Sequence, residues 1–207
     1  MKTKTSTVKK FRIQRRLNTD LPGLGKAGAL NRRPYAPGQH GAARKKHSEY
    51  ALRLREKQKL MAHYNLTERQ LQCFVSHSRK AAINWIAELS RRLELRLDNL
   101  IFRAQLAPST RAARQLVSHK HILIGGRPVN IGSQICKVGD EIQIKEKSRV
   151  HPSVVQAASQ PRLDLPAYLE KKDGFTVRIV AEPTTADVPF SYSDRLIAEY
   201  YATRGRK

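Results

Sequence analysis

Cysteine is almost absent from this 207-residue chain. Cys73 and Cys136 lie far apart and outside any CxxC pair, which excludes a thiolate zinc site and a disulfide framework and fits a reducing compartment. Aromatic residues make up only 6 % of the sequence, with a single tryptophan, and they are scattered. A single-strand binder with a row of stacking platforms is therefore disfavoured. There is no apolar N-terminal run, transit-like leader or terminal lipidation motif, so neither a membrane partner nor import from another compartment is expected. Without a secretory signal, Asn65-Leu66-Thr67 marks the start of a helix and not a glycosylation acceptor.

Acidic residues are also scarce. Seventeen Asp and Glu stand against 40 Lys and Arg, a formal charge of +23. Such a chain repels itself unless a polyanion neutralises it, which points to nucleic acid. The excess is uneven. Residues 1–50 carry 13 basic and 2 acidic side chains, residues 51–150 carry 19 and 8, and residues 151–207 carry 8 and 7, for nets of +11, +11 and +1. The polyanion-facing chemistry should lie before residue 150.

Periodicity divides the chain into an α+β protein. Residues 1–47, with little apolar rhythm and a Gly- and Pro-rich stretch at 21–41, read as a basic extended arm ordered by its partner. Residues 48–95 read as a helical domain. Its first helix, from Ser48 to Leu60, sets a narrow stripe of Tyr50, Leu54 and Leu60 among Arg53, Arg55, Lys57 and Lys59. Its second opens on Thr67 with capping-box spacing to Gln70 and buries Leu71, Phe74 and Val75. Its third carries Ile83, Ile86, Leu89 and Leu93. Residues 96–180 read as a second domain with a small antiparallel sheet. Asp98 can cap a short helix, and Ser109 or Thr110 another that runs to about His119. Residues 121–124 and 128–131 then flank Gly125-Gly126-Arg127 as a hairpin, and strands follow at 141–145 and 175–180. Residues 181–207 end in a helix after Asp194 that should return to complete the helical domain.

Catalytic and metal signals are weak. Gly23-Leu24-Gly25-Lys26-Ala27-Gly28 spells GxGxxG but lacks the preceding strand and following helix of a dinucleotide site. His119-Lys120-His121 lacks a third ligand, so surface or RNA-contacting imidazoles are the better reading. No nucleophile stands beside a base. We expect no catalytic residue, no metal, no cofactor and no small-molecule substrate. In the helix after Ser109, Ala112, Ala113, Leu116 and Val117 face the core while Arg111, Arg114 and Ser118 form a cationic ridge. Guanidinium forks bind phosphates bidentately, and folded RNA is read largely through phosphate, shape and 2′-hydroxyl contacts.

Three blocks in the second domain, 96–103, 109–117 and 121–131, resemble the S4 RNA-binding domain. That module also occurs in pseudouridine synthases, tyrosyl-tRNA synthetases and stress-related RNA binders. Arg33-Pro34-Tyr35-Ala36-Pro37-Gly38-Gln39-His40-Gly41, with residues 45–50, 54–60 and 64–70, is similar to the S4 family of small-subunit ribosomal proteins itself. The resemblance implies a primary binder of small-subunit ribosomal RNA that nucleates 5′-domain assembly. It implies ribosomal proteins S5 and S3 and incoming messenger RNA as neighbours, an effect on decoding accuracy with S5, and a cytoplasmic or organellar ribosome as location. Some relatives hold zinc through cysteines in the arm, and none precedes Cys73 here. Where relatives commonly have Asn, this hairpin has Gly125.

The expected RNA contacts in the arm are Arg32, Arg33, Tyr35, Gly38, Gln39, His40, Arg44, Lys45 and Lys46. In the helical domain they are Tyr50, Arg53, Lys57, Lys59 and Arg69. In the second domain they are Arg96, Ser109, Thr110, Arg111, Arg114, Gln115, His119, His121, Arg127 and Asn130. Each cation is weighed against a merely solvated charge. Two other readings use the same surface: an RNA-modifying enzyme carrying an S4-type module, and a free RNA-binding regulator of translation.

Overall fold

The computed structural model describes residues 10–26, 28–43 and 46–204. The arm is not simply extended. Lys10–Leu17 forms helix α1, a 3-10 turn follows at Pro22–Leu24, and α2 spans Ala29–Arg32. Ile13 and Leu17 sit one turn apart, and with Leu21 and Leu24 they build a small apolar cluster against Ala62 and Phe190. That burial, not charge, decides the local structure. Gln14 is wholly buried and donates from Nε2 to the Lys26 carbonyl at 2.8 Å.

Helix α3 (Glu49–His63) starts at Ser48, whose hydroxyl accepts from the Ala51 amide, and α4 (Glu68–Ala81) starts at a complete capping box between Thr67 and Gln70. Helix α5 begins only at Trp85 and ends at Glu94, so Ile83 falls outside it and is fully exposed. Helix α6 spans Leu97–Arg103 and α7 spans Thr110–Ser118, the latter capped by the Ser109 side chain. Asp98 does not cap α6. The N-cap is Arg96 without a side-chain bond, and the Asp98 carboxylate turns instead to two arginines.

The described strands make one antiparallel sheet in the order β2-β1-β3-β5-β4: β1 Ile122–Ile124, β2 Arg127–Val129, β3 Glu141–Ile144, β4 Leu169–Asp173 and β5 Thr176–Ile179. Positive φ at Gly125 (53°) and Gly126 (80°) gives the β1–β2 hairpin the turn that matches strand twist. Besides the helices of the arm, two elements escaped the periodicity reading: β4, a charged segment at the sheet edge, and α8 (Pro152–Ser159).

Two main cores result. Leu97, Leu100, Ile101, Leu116 and Val117 pack with Ile122, Ile142, Ile144, Val177 and Ile179. Leu60, Tyr64, Leu71, Leu89 and Leu93 pack with Ile197, Tyr200 and Tyr201 of α9 (Asp194–Arg204), so the last helix does come back onto the first helices.

The cores meet at Glu94, which is completely buried. Its carboxylate accepts from the hydroxyls of Tyr64 and Tyr168 and from Asn99 Nδ2, and Arg103 Nε lies 3.5 Å away. Burial holds this carboxyl above its ordinary range against the opposing pull of Arg103 and the hydrogen bonds. Tyr64 belongs to one core and Tyr168 to the other, so a single side chain links them.

Candidate nucleic-acid interface

A cleft of about 480 Å³ opens where α1, the 34–43 loop and the start of α3 converge. Arg15 builds its wall, donating to the carbonyls of Tyr35 (2.9 Å) and Ala36 (3.3 Å) with its guanidinium 5.1 Å from the Tyr35 ring centroid. Arg55 joins the other side by donating to the Leu17 carbonyl at 3.0 Å. The loop folds tightly because Gly38 takes φ +109° and because a Cβ on Gly41 would collide with the Ala36 carbonyl oxygen. Tyr35, Gly38, Gln39 and His40 all line the cleft, and Arg16 and His47 join them. No carboxylate is among the described lining residues, so the charge there is of one sign.

Arg32 and Arg33 line a neighbouring hollow with Arg15 and Phe11, and Lys46, Tyr50 and Arg69 are exposed. Arg44 and Lys45 lie outside the described residues.

A second basic surface runs along α7. Arg111, Gln115 and His119 follow one another at i, i+4 and i+8, with Arg111 and Gln115 about 6 Å apart along the axis. Arg111 is partly exposed and donates to Asn65 Oδ1 at 3.2 Å. Lys10 of α1 is held below its ordinary pKa by burial and then by the positive charges of Arg111, Lys26 and Arg162. Cations from the arm, α7 and the segment after α8 thus share one field. Arg127 and Asn130 are exposed on the hairpin, and His121 is half-buried beside it.

Other expected contacts turn inward or are paired within the protein. Lys57 is buried, its ammonium bound to Glu68 at 2.6 Å and to the Tyr200 hydroxyl at 3.0 Å. Arg96 is 1 % exposed, clamped on Asp98 and lying over Phe74. Thr110 is buried and donates to the Gly23 carbonyl at 2.9 Å, and the buried Ser109 is spent as the α7 cap. Arg114 leaves the anticipated ridge to bind Asp98 at 2.6 Å and the Asn65 carbonyl at 3.0 Å. Arg53 is engaged by Glu199 and Glu49, and Lys59 by Glu56. A cation already paired inside the protein meets a phosphate only by breaking that pair or by sharing its remaining donors.

Sequence reasoning missed Arg15, Arg16 and Arg55 as cleft residues, and the gathering of Arg111, Lys26 and Arg162 around Lys10. Only the i, i+4 pair Ile13/Leu17 hinted that the first arginines sit on a docked helix.

A family profile described as ribosomal protein S4/S9 N-terminal domain matches residues 5–94, and one described as S4 domain matches residues 95–142. The chain is 49 % identical to small ribosomal subunit protein uS4B of Bdellovibrio bacteriovorus, over 95 % of this chain and 96 % of that one. It is 44 % identical to uS4B of Nitrosomonas europaea and 43 % identical to uS4 of a Cyanothece species, each over 94 % of this chain and 96 % of the relative.

Proposed function

Because the chain belongs to the S4 family of ribosomal proteins, we propose that it is a structural, non-catalytic constituent of the small ribosomal subunit that binds ribosomal RNA. The observation that carries this is the cleft between α1, the 34–43 loop and α3, walled by Arg15, Arg16 and Arg55 and free of carboxylates among its described lining. An RNA backbone can exchange its counterions for these guanidiniums, and the entropy of the released ions drives binding.

The two surfaces divide the task. The arm and helical unit, residues 1–95 with 181–207, offer the cleft, and residues 96–180 offer the α7 stripe and the hairpin. The Glu94 junction fixes the angle between them, so two RNA segments are held in one orientation. We place the protein as a primary binder that nucleates assembly of the 5′ domain in the cytoplasm. Proteins S5 and S3 and the incoming messenger RNA are its neighbours, and decoding accuracy is influenced jointly with S5. The family match across nearly the whole chain disfavours the RNA-modifying enzyme and the free regulator. Among the described residues no helix is long and apolar enough to cross a membrane.

The test is a salt-titrated binding assay against the folded 5′ domain of small-subunit ribosomal RNA, with transfer RNA as competitor. Tight, selective binding whose affinity falls steeply with salt is expected. Equal affinity for both RNAs overturns the reading.

A further inference from the structure

Three imidazoles gather at the far end of the α7 stripe. His119 closes α7, His121 precedes β1, and His151 caps α8. The His121 ring centroid lies 6.0 Å from that of His119 and 5.4 Å from that of His151. Among the described residues no His, Cys, Asp and Glu group is arranged to hold a metal ion.

Their hydrogen bonds separate the three. His151 Nδ1 accepts from the Ser153 amide at 3.2 Å, so its proton sits on Nε2, and a second proton would remove the acceptor that starts α8. His121 Nδ1 meets the Ser148 hydroxyl at 2.8 Å. A hydroxyl donates to a neutral ring or accepts from a charged one by rotating, so this contact survives either state. His119 is exposed.

We infer that this cluster is a proton-coupled contact for an RNA phosphodiester, in which docking of the phosphate draws a proton from solvent onto His119 or His121. The inference rests on the RNA-binding function proposed above. In the free protein the groups acting on His121 are His151, His119 and Lys145, which add no negative charge, and after burial they press its pKa below the ordinary value. The 3-10 turn that brings Ser148 to the ring leaves its own Glu146 and Lys147 exposed. This surrounding therefore disfavours the charged form of the His121 ring until an anion arrives. A phosphate reverses the balance. The Arg111–Gln115–His119 stripe runs about 12 Å along α7, long enough for an RNA backbone to reach the cluster from the cationic field around Lys10.

The experiment measures affinity of the full chain for a transcript of the small-subunit ribosomal RNA 5′ domain at about pH 8 and about pH 6, at constant salt. Wild type should bind roughly three- to tenfold more tightly at the lower pH. In His119→Gln/His121→Asn, where each amide keeps polar atoms close to the ring nitrogens it replaces, the pH 6 to pH 8 ratio should collapse toward that of a protein without the cluster. His119→Gln alone, at an exposed site, should lose part of the ratio and covers the case in which the double variant folds poorly. Calorimetry in two buffers of different ionisation enthalpy should find about one fewer proton taken up by the double variant. A ratio and proton count identical in wild type and both variants overturns the inference while leaving RNA binding intact. Absence of binding by wild type at either pH overturns the function on which it rests, and this inference with it.

Discussion

Arg96 and Asp98 form a buried two-pronged ion pair, Nε to Oδ1 at 3.0 Å and Nη2 to Oδ2 at 2.7 Å, with both side chains 1 % exposed. Arg114 reaches the same Oδ2, so one carboxylate anchors two guanidiniums from α7 and from the start of α6. Through Arg114 and Arg111, both also bound to Asn65, the pair ties the second domain to the turn between α3 and α4.

Asp98→Ala should therefore be severely destabilising. It strands a buried guanidinium without its counter-ion, a loss of about 3–5 kcal/mol. Urea unfolding should show a lower midpoint, with Asp98→Asn in between. A change under about 1 kcal/mol in Asp98→Ala would contradict the anchoring role.

His63 predicts how stability responds to acid. Burial, helped by Arg103, pushes its pKa down from 6.5 to about 3. The unfolded chain then binds the proton first, so stability is complete above about pH 6.5 and falls as pH drops toward 3. The slope from this group is about 1.4 kcal/mol per pH unit. In His63→Asn, whose Oδ1 stands close to the place of Nδ1 and can still accept from the Gly23 amide, that part of the slope should vanish from a pH series of denaturant melts.

Salt dependence separates RNA-facing residues from structural ones. Arg127→Ala or Arg55→Ala should reduce the slope of log affinity against log salt by about 1 for each phosphate that the removed guanidinium neutralised. Lys57→Met should leave that slope alone and lower the unfolding midpoint, because its ammonium is already committed to Glu68 and Tyr200. A slope change for Lys57→Met would return that residue to the RNA-facing set.

Much of the fold could be read locally. The Thr67/Gln70 capping box, the Ser109 cap and the Gly125-Gly126 turn each depend on a few adjacent residues, and each formed. The helical start of the arm did not show, because four apolar residues, Ile13, Leu17, Leu21 and Leu24, are diluted among cations. The site was harder for a related reason. A sequence displays every lysine and arginine alike, whereas the partners that retire Lys57 lie 11 and 143 positions away. Likewise Arg15 and Arg55 become one cleft only once α1 docks on α3.

The loop that shapes the cleft offers a local test. In Gly41→Ala the new methyl would collide with the Ala36 carbonyl, so the 36–41 turn must open. RNA affinity should fall roughly tenfold, about 1.4 kcal/mol, while the main cores and the thermal midpoint hardly change. A parallel loss of global stability would mean that the loop supports the fold and not the interface.

The last prediction concerns the angle between the two RNA-facing surfaces. Glu94→Gln keeps the size of the side chain but removes its charge and one acceptor oxygen. Tyr64 and Tyr168 can no longer both donate to carboxylate oxygens, and Arg103 is left without its ionic partner at 3.5 Å. Truncating one side of such a network costs about 3 kcal/mol, and here the loss falls between two cores and not inside either. Each core should therefore remain folded by amide exchange while scattering shows a broader distribution of inter-core distances. RNA affinity should drop with an unchanged salt slope, since every phosphate-binding side chain is still present and only their prearranged geometry is relaxed. If affinity is retained, the RNA itself sets the angle and the Glu94 junction serves stability alone.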